Sequence, residues 1–259
     1  MSKAESGATA SVDELYRAER PRLWALAYRM TGTAEDADDV VQEAFARHVA
    51  TSASHAAPVR WLVRVVTNLS IDALRRRRRR VYTGPWLPAP IETGAAEWPD
   101  DPVSGETDPE TRYGRLESVT YAFLLALEAL GPRQRAVLLL RDVMGQSARE
   151  TAETLSISEA NARVLHHRAR LAMQSYDRRR CVPTAELREK HCAALASLLA
   201  ALDAQDGARV EALLAESART LTDAGGAYTA LAAPLEGRDR VARLYLTAAL
   251  HRRATVGGS

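Results

Sequence analysis

The fold of this 259-residue chain is decided by the stretch at residues 147–170, which reads SARETAETLSISEANARVLHHRAR. Ser147 and Glu150 have the spacing of a capping box, in which each side chain accepts a backbone hydrogen bond at the start of a helix. That short helix runs to Leu155, and a turn at 156–158 leads into a longer, basic helix. A short helix, a tight turn and a longer helix predict a helix-turn-helix.

The second helix of this motif predicts contact with duplex DNA. In helix-turn-helix proteins its early residues enter the major groove and contact base edges. Asn161 and Arg163 are positioned for base contact, and Arg168 and Arg170 for phosphate contact. A helical hairpin with an ordinary charged face is the structural alternative. The full predicted set is Ser158, Asn161, Arg163, His167, Arg168 and Arg170.

The densest charge lies on an earlier helix that begins at Pro58. Arg60, Arg64 and residues 75–80 supply eight positive charges within 21 residues, against one acid, Asp72. Consecutive arginines repel one another unless an anionic partner compensates, although a solvated helix end that complements its own dipole is the alternative. An amide, a hydroxyl and an indole ring precede the arginines, and this combination suits unpaired bases. The helix therefore predicts a nucleic-acid surface made of Trp61, Arg64, Thr67, Asn68, Asp72, Arg75, Arg76 and Arg79.

A helix that precedes the arginine-rich one and is capped by Thr33 has an acidic polar face beside an apolar stripe. DNA would repel these carboxylates, so the face is open either to solvent or to a basic protein partner. The candidate partner-binding residues are Asp36, Asp38, Asp39, Gln42 and Glu43.

Composition divides the chain into four segments. Residues 11–82 and 112–180 are helical in pattern, and 181–259 begins helical and then becomes irregular. Residues 83–111 are rich in proline and acid and contain no Lys or Arg, which predicts an extended tether. The net charge of the chain is only +2, so any affinity for nucleic acid must come from local patches.

Other classes of function find little support in the sequence. Cys181 and Cys192 would lie about 16 Å apart along a helix, so we expect free thiols in a reducing compartment. We find no signal peptide and no apolar run of membrane-spanning length, which predicts a cytoplasmic protein with no membrane partner. No metal-ligand spacing is present, and 184–259 has no His/Asp or His/Glu pair for acid–base work. We therefore expect no cofactor, no metal and no catalysis.

Three of these motifs, in this order and spacing, resemble the extracytoplasmic-function group of bacterial sigma factors. Residues 35–45 (EDADDVVQEAF) look like the family's polymerase-clamp-binding helix, and 61–76 are similar to its helix for melting and reading the −10 element. Residues 129–141 (ALGPRQRAVLLLR) resemble the start of its −35-binding domain. The resemblance covers about 12–82 and 112–176. It implies core RNA polymerase and promoter DNA as partners, and it allows an anti-sigma factor.

Two further features resemble one subgroup, whose members carry a SnoaL-like C-terminal extension. Residues 86–90 (WLPAP) are similar to its Trp-Leu-Pro-Glu-Pro linker motif, and 223–227 (DAGGA) look like its Asp-Gly-Gly-Gly-Lys motif. Residues 235–242 resemble the helix start that follows. The resemblance implies an incomplete α+β cone that contacts the linker and regulates in cis. The residues concerned are Trp86, Leu87, Pro88, Asp223, Gly225 and Gly226.

The expected fold is thus mainly α. It comprises a bundle at 11–82 (sigma region 2), a Pro-rich acidic linker at 83–111, a helix-turn-helix bundle at 112–180 (sigma region 4) and a partial SnoaL-like extension at 181–259. The family's usual turn glycine is Ser156 here. Two alternatives stay open: a stand-alone helix-turn-helix repressor or activator, and a small-molecule enzyme or sensor built on the C-terminal fold.

Overall fold

The computed structural model describes residues 12–51, 56–79, 87–89, 113, 120–180, 184–223, 231 and 233–256, with backbone alone for 252–256. These residues are mainly helical, as the sequence predicts. The helices are α1 (Val12–Thr31), α2 (Ala34–Ala50), α3 (Pro58–Arg79), α4 (Tyr121–Leu127), α5 (Pro132–Leu138), α6 (Ala148–Leu155), α7 (Glu159–Arg179), α8 (Ala185–Asp203), α9 (Gly207–Leu213) and α10 (Arg238–Val256), and the strands are β1 (Arg219–Thr220) and β2 (Leu235–Glu236).

Two compact units divide the chain. The first comprises residues 1–80 and 88–180, and the second comprises 81–87 and 181–259. The second unit therefore contains the C-terminal segment together with a short piece of the linker.

The turn between α1 and α2 is set by Gly32, whose φ of +83° lies in the left-handed region that favours glycine. Its N–H donates to the carbonyl of Tyr28 and closes α1. Thr33 then caps α2, since its side chain accepts a hydrogen bond from the N–H of Asp36, as its position predicts. The apolar stripes of α1, α2 and α3 pack together around Leu23, Met30, Val41, Ala44, Leu62 and Val66.

Helices α6 and α7 form the predicted helix-turn-helix. Ser147 and Glu150 exchange the two hydrogen bonds of a capping box. The N–H and the hydroxyl of Ser147 both donate to the Glu150 carboxylate, and these two bonds hold the pKa of that carboxyl below its usual value. Ser158 caps α7 by accepting a hydrogen bond from the N–H of Asn161. Between the helices, Ser156 has a φ of +53°, so serine adopts the left-handed conformation that glycine adopts without strain.

We expect Ser156→Gly to raise the midpoint of thermal unfolding by a few degrees. The left-handed conformation costs a non-glycine residue about 1 kcal/mol, and the greater freedom of glycine in the unfolded chain offsets part of that gain. Calorimetry of the two proteins measures the shift. Ser158→Ala is the opposite control, because loss of the α7 cap should destabilise the protein by about 1 kcal/mol. A lower midpoint for Ser156→Gly would contradict the assignment of strain.

Between α5 and α6 the chain widens into a π-helical segment at Leu139–Val143. The sequence predicts one continuous helix from Gln134 to Arg141, so this change of register is a difference from the prediction. The N–H of Met144 donates to the carbonyl of Leu139, five residues earlier. The extra residue in this turn changes the direction of the neighbouring side chains. The spacing of apolar residues in the sequence does not reveal this change.

The sequence predicts two helical modules joined by an extended tether, and in the structure helices of the two modules pack on each other. Helix α5 packs on α1 and α3, and α6 packs on α3. Buried side chains of both predicted bundles belong to one continuous hydrophobic cluster, which includes Leu62 and Met30 on one side and Leu127 and Leu138 on the other. Of the predicted tether at 83–111, only Leu87, Pro88 and Ala89 lie among the described residues.

The second unit combines three helices with a short antiparallel strand pair. Strands β1 and β2 pair Arg219 with Glu236 and Thr220 with Leu235. Helices α8, α9 and α10 meet over a small cluster that includes Ala201, Val210 and Ala242. Several large apolar side chains of this unit stay exposed, among them Leu195, Leu199, Tyr245 and Leu250. The described part of this unit therefore consists of three helices and one short strand pair around a small core.

Candidate nucleic-acid interface

The arginine-rich helix α3 presents an exposed polar stripe. Its members recur at helical spacing, so they share one face of the helix, and all five are exposed to solvent. Arg75 donates to Asp72 at 3.1 Å, which aligns the first arginine with the stripe. We call this surface the α3 stripe, and it consists of Asn68, Asp72, Arg75, Arg76 and Arg79.

Two predicted members of this surface are less accessible. Trp61 is half-buried against the core, with its ring centroid 5.6 Å from that of His48. Thr67 is fully buried, and its hydroxyl donates to the carbonyl of Val63 at 2.7 Å. Because Thr67 lies on the core-facing side of α3, the prediction that its hydroxyl faces nucleic acid is wrong.

Arg64 also departs from its predicted position. Its guanidinium is half-buried and donates to the carbonyl of Glu153 on α6 at 2.9 Å. Arg60 reaches the carboxylate of the same glutamate at 3.3 Å, and Arg149 reaches it at 3.1 Å. Arg64 therefore contacts the helix-turn-helix in this structure and is only partly exposed.

The arginine run is divided by the direction of its side chains. Arg77 donates to the carbonyl of Thr31 at 2.8 Å and to the carboxylate of Glu128 at 2.7 Å, and Arg78 donates to the carbonyl of Leu130 at 2.7 Å. Burial lowers the pKa of the Arg77 guanidinium, while the negative charges of Glu128 and Asp36 oppose that effect. Arg77 is therefore partly buried between the ends of α1 and α4, Arg78 is exposed but bonded to the carbonyl of Leu130, and the α3 stripe faces solvent.

Arg135 of α5 is 1% exposed and completes this cluster. It donates to the carbonyls of Met30 and Leu127, at 2.7 and 2.8 Å, and to the carboxylate of Glu128. Burial lowers the pKa of its guanidinium, and the charge of Glu128 opposes that effect. The C-terminal carbonyls of α1, which carry the negative end of the helix dipole, are thus capped by arginines. We call Arg77, Glu128, Arg135 and these carbonyls the junction.

The recognition helix α7 exposes every residue predicted to contact the −35 duplex. Asn161 and Arg163 lie in its first two turns, and Arg163 is paired with Glu159 one turn earlier. The apolar side of the helix is buried through Ala162, Ala169 and Met173. The predicted residues, all of them exposed, are Ser158, Asn161, Arg163, His167, Arg168 and Arg170.

The predicted protein-binding residues lie on the outer side of α2. Asp39, Gln42 and Glu43 are exposed, and Asp36 and Asp38 are partly exposed. The opposite side buries Val40, Val41, Ala44 and Phe45, as the apolar stripe predicts. Arg20 of α1 pairs with Asp38 at 3.0 Å, and Arg47 pairs with Glu43 at 2.8 Å.

The described residues of the linker motif, Leu87 to Ala89, make hydrogen bonds at both ends. Within the first unit, the N–H of Ala89 donates to the carbonyl of Gly32 and the hydroxyl of Tyr28 donates to the carbonyl of Ala89, each at 2.8 Å. Burial raises the pKa of that tyrosine hydroxyl. Within the second unit, the N–H of Leu87 donates to the carboxylate of Asp223 at 2.8 Å. Pro88 is buried, and the predicted residues Trp86, Gly225 and Gly226 lie outside the described residues.

Sequence reasoning missed the junction, Glu153 and Tyr28. One signal could have revealed Arg135: it begins a run in which Ala136, Val137 and Leu138 are apolar on every side of the helix. A charged residue in such a run is buried with partners or disrupts the packing. Across the described ranges, no group of His, Cys, Asp or Glu is arranged to hold a metal ion. No helix in those ranges is long and apolar enough to cross a bilayer.

Comparison with known proteins assigns both helical modules. The model of sigma-70 region 2 matches residues 15–80, and that of sigma-70 region 4 matches 121–173. The ECF RNA polymerase sigma factor SigJ of Mycobacterium tuberculosis is 35% identical over 233 residues, which are 89% of this chain and 71% of SigJ. SigG of the same species is 39% identical over 175 residues, which are 62% of this chain and 46% of SigG.

The similarity to SigJ extends to the fold. The crystal structure of M. tuberculosis SigJ matches with a TM-score of 0.63 and 33% identity, covering 91% of this chain and 75% of that chain. This coverage reaches beyond both sigma-70 regions into the C-terminal unit. The chain belongs to the extracytoplasmic-function RNA polymerase sigma factors.

Proposed function

We propose that this chain joins core RNA polymerase, recognises the −10 and −35 elements of a promoter and promotes opening of the DNA. The observation that carries the proposal is the α3 stripe, where an amide and three arginines stand on one exposed face. Amide groups hydrogen-bond base edges, and arginines contact phosphates or guanine. In this role the chain acts in the cytoplasm, with no catalysis of its own.

Promoter opening requires that lost base stacking be replaced. Extruding a base costs a few kcal/mol, and stacking on an aromatic side chain returns about 1–3 kcal/mol per base. The half-buried ring of Trp61 lies on the same helix as the α3 stripe and supplies such a surface. Asn68 and Arg75 would then hold the displaced strand.

The other two surfaces complete the assignment. The exposed residues of α7 suit the −35 duplex, because the first turns of a recognition helix enter the major groove. The acidic face of α2 suits a basic surface of core polymerase, because opposite charges across an interface favour association. Asp39, Gln42 and Glu43 are the most accessible candidates on that face.

We infer that the packed first unit is the form of the factor before it binds polymerase. The −10 and −35 elements lie about 25 base pairs apart, which is roughly 85 Å of duplex at about 3.4 Å per base pair. A compact unit of about 150 residues has a radius of gyration of only about 15 Å. One such unit cannot span both elements, so we infer that polymerase binding separates α4–α7 from α1–α3.

Part of the contact between these two groups of helices suits such a separation, and the buried cluster and the junction that also join them would have to open with it. Arg60 and Arg64 meet Glu153 at partly exposed positions, where ion pairs contribute little net stability. A cavity of about 410 Å³ lies beside them, lined in part by Val63 and Gln146. Polar and incompletely filled contacts are typical of surfaces that come apart.

We further propose that the C-terminal unit is a SnoaL-like extension that regulates the factor in cis. The hydrogen bond between Leu87 and Asp223 supports this proposal, because it joins the two sequence motifs that the resemblance pairs. The match to SigJ beyond residue 180 supports it as well. An anti-sigma factor would be a second regulator that acts on the same sigma regions.

Run-off transcription with purified core polymerase and a pool of genomic promoters tests the main proposal. We expect transcripts from a defined subset of promoters only when this chain is added. If the chain instead bound duplex DNA sequence-specifically by itself and did not join the core enzyme on size exclusion, it would be a stand-alone regulator and the proposal would be wrong.

Single substitutions test the division of labour. We expect Asn68→Ala to lower output by about fivefold or more on duplex templates, because one base contact is worth about 1–3 kcal/mol. A template with a pre-opened −10 region should recover most of this output. Arg163→Ala should instead reduce discrimination among −35 sequences on both templates. Equal effects of the two substitutions on every template would contradict the separate roles.

Deleting residues 184–259 tests the regulatory role of the C-terminal unit. We expect the truncated chain to change transcription from the same promoter set by severalfold relative to the full chain. Asp223→Ala is the point control, since it removes the hydrogen bond to Leu87 and should shift output in the same direction. Unchanged transcription for both variants would remove the proposal of cis regulation.

A further inference from the structure

The buried side of the recognition helix contains a polar residue. Ala162, Ala169 and Met173 are fully buried on this side of α7. His166 lies four residues after the first and three before the second, so helical geometry puts it on the same side. Its side chain is only 15% exposed. A helix of this kind ordinarily has an apolar residue at such a position.

The partner of His166 is Asp142 in the π-helical segment. His166 Nε2 lies 2.7 Å from Asp142 Oδ1, and the aspartate side chain is 7% exposed. The other carboxylate oxygen, Oδ2, is buried and meets no hydrogen-bond donor among the described residues. His166 therefore supplies the contact that compensates the burial of this carboxylate. The carbonyl of Asp142 in turn accepts a hydrogen bond from the N–H of Tyr113.

The hydrogen bond between His166 and Asp142 restricts the rotation of α7 about its axis more sharply than the surrounding apolar contacts do. Hydrophobic burial is non-directional, and two of the three fully buried side chains on this side of α7 are the small ones of Ala162 and Ala169. A hydrogen bond weakens steeply when its geometry changes. A rotation of about 20° moves a group about 6 Å from the helix axis by roughly 2 Å. That displacement is enough to break a hydrogen bond to a base.

We propose that the His166–Asp142 pair is a positioning pair that sets the rotation of α7 and thereby the base edges that Asn161 and Arg163 address. The two base-contacting residues precede His166 by five and three residues, so the pair controls their direction from the next turns of the same helix. Neither member of the pair contacts DNA itself. The inference rests on the proposed −35 recognition by α7.

Run-off transcription on a promoter library with a randomised −35 element tests the inference. The wild-type holoenzyme must select a defined −35 sequence. A failure to do so would reject the proposed −35 recognition, on which the role of the His166–Asp142 pair depends. Given that selection, we expect Asp142→Leu to reduce the enrichment of the selected sequence by about tenfold, the size of one lost base contact. Asp142→Asn keeps an acceptor of the same shape and should retain most of the selection.

A double substitution separates positioning from stability. Asp142→Leu with His166→Leu removes both buried polar groups, so its thermal midpoint should return to within a few degrees of the wild-type value. We expect −35 selection to stay about tenfold reduced in this variant even though it is fully folded at the assay temperature. Recovery of selection together with the thermal midpoint, or unaltered selection in Asp142→Leu, would overturn the inference.

Discussion

Arg135→Met lowers the free energy of unfolding of the chain by about 3 kcal/mol or more, as measured by urea denaturation. Removing one member of a buried, hydrogen-bonded charge pair leaves the other members without compensation. The substitution deprives the carbonyls of Met30 and Leu127 of their donor and leaves Glu128 with Arg77 as its arginine partner in the junction. Methionine fills a similar volume, so a cavity does not explain the loss.

Two control variants test whether the loss of stability is specific to the contacts of Arg135. Arg133→Met changes an exposed arginine two residues earlier, and we expect a shift within about 0.5 kcal/mol. Arg135→Lys keeps the charge but cannot reproduce the forked geometry that reaches two carbonyls and a carboxylate, so most of the loss should remain. Equal stability of the Arg133 and Arg135 variants would show that the junction contributes little to the fold.

The second large effect concerns promoter affinity. Substituting Arg75, Arg76 and Arg79 together with glutamine removes the three arginines of the α3 stripe and leaves the junction intact. Each phosphate contact contributes about 0.7–0.9 to the slope of log affinity against log salt concentration, so three lost contacts reduce the slope by about 2–3. At about 0.15 M salt this corresponds to a roughly hundredfold weaker complex between holoenzyme and promoter. Filter binding over a salt series measures both quantities.

A matched triple variant is available in the C-terminal unit. Arg188, Arg209 and Arg240 are exposed, and changing them to glutamine alters the net charge by the same amount. We expect this control to leave the salt slope unchanged within about half a unit. The assignment of the α3 stripe to DNA would be contradicted by equal slopes for the two triple variants, since a general charge effect would then explain the loss.

The sequence predicts the parts of the fold that local rules govern. Gly32, Thr33, Pro58 and the Ser147–Glu150 box begin or end helices where expected, because caps and special backbone angles depend on neighbouring residues alone. Exposure of the predicted α7 surface follows from the same helical periodicity. These features involve residues that are close together in the chain.

Features that depend on distant partners could not be predicted. Six consecutive arginines are chemically alike, and only the positions of Glu128 and of the carbonyls of Thr31 and Leu130 decide that Arg77 and Arg78 bond to distant parts of the chain. Thr67 is polar, yet its hydroxyl is satisfied by the carbonyl one turn earlier, so it is buried without cost. The π-helical segment escaped prediction because one added residue hardly changes the apolar pattern.

The anchoring of Ala89 has a consequence for how the chain tolerates changes in length. Its N–H and carbonyl are both bonded to the end of α1, so adding or removing a residue next to it would exchange which backbone groups meet Gly32 and Tyr28. Natural variants of this protein should therefore keep the residues on either side of Ala89 without insertions or deletions.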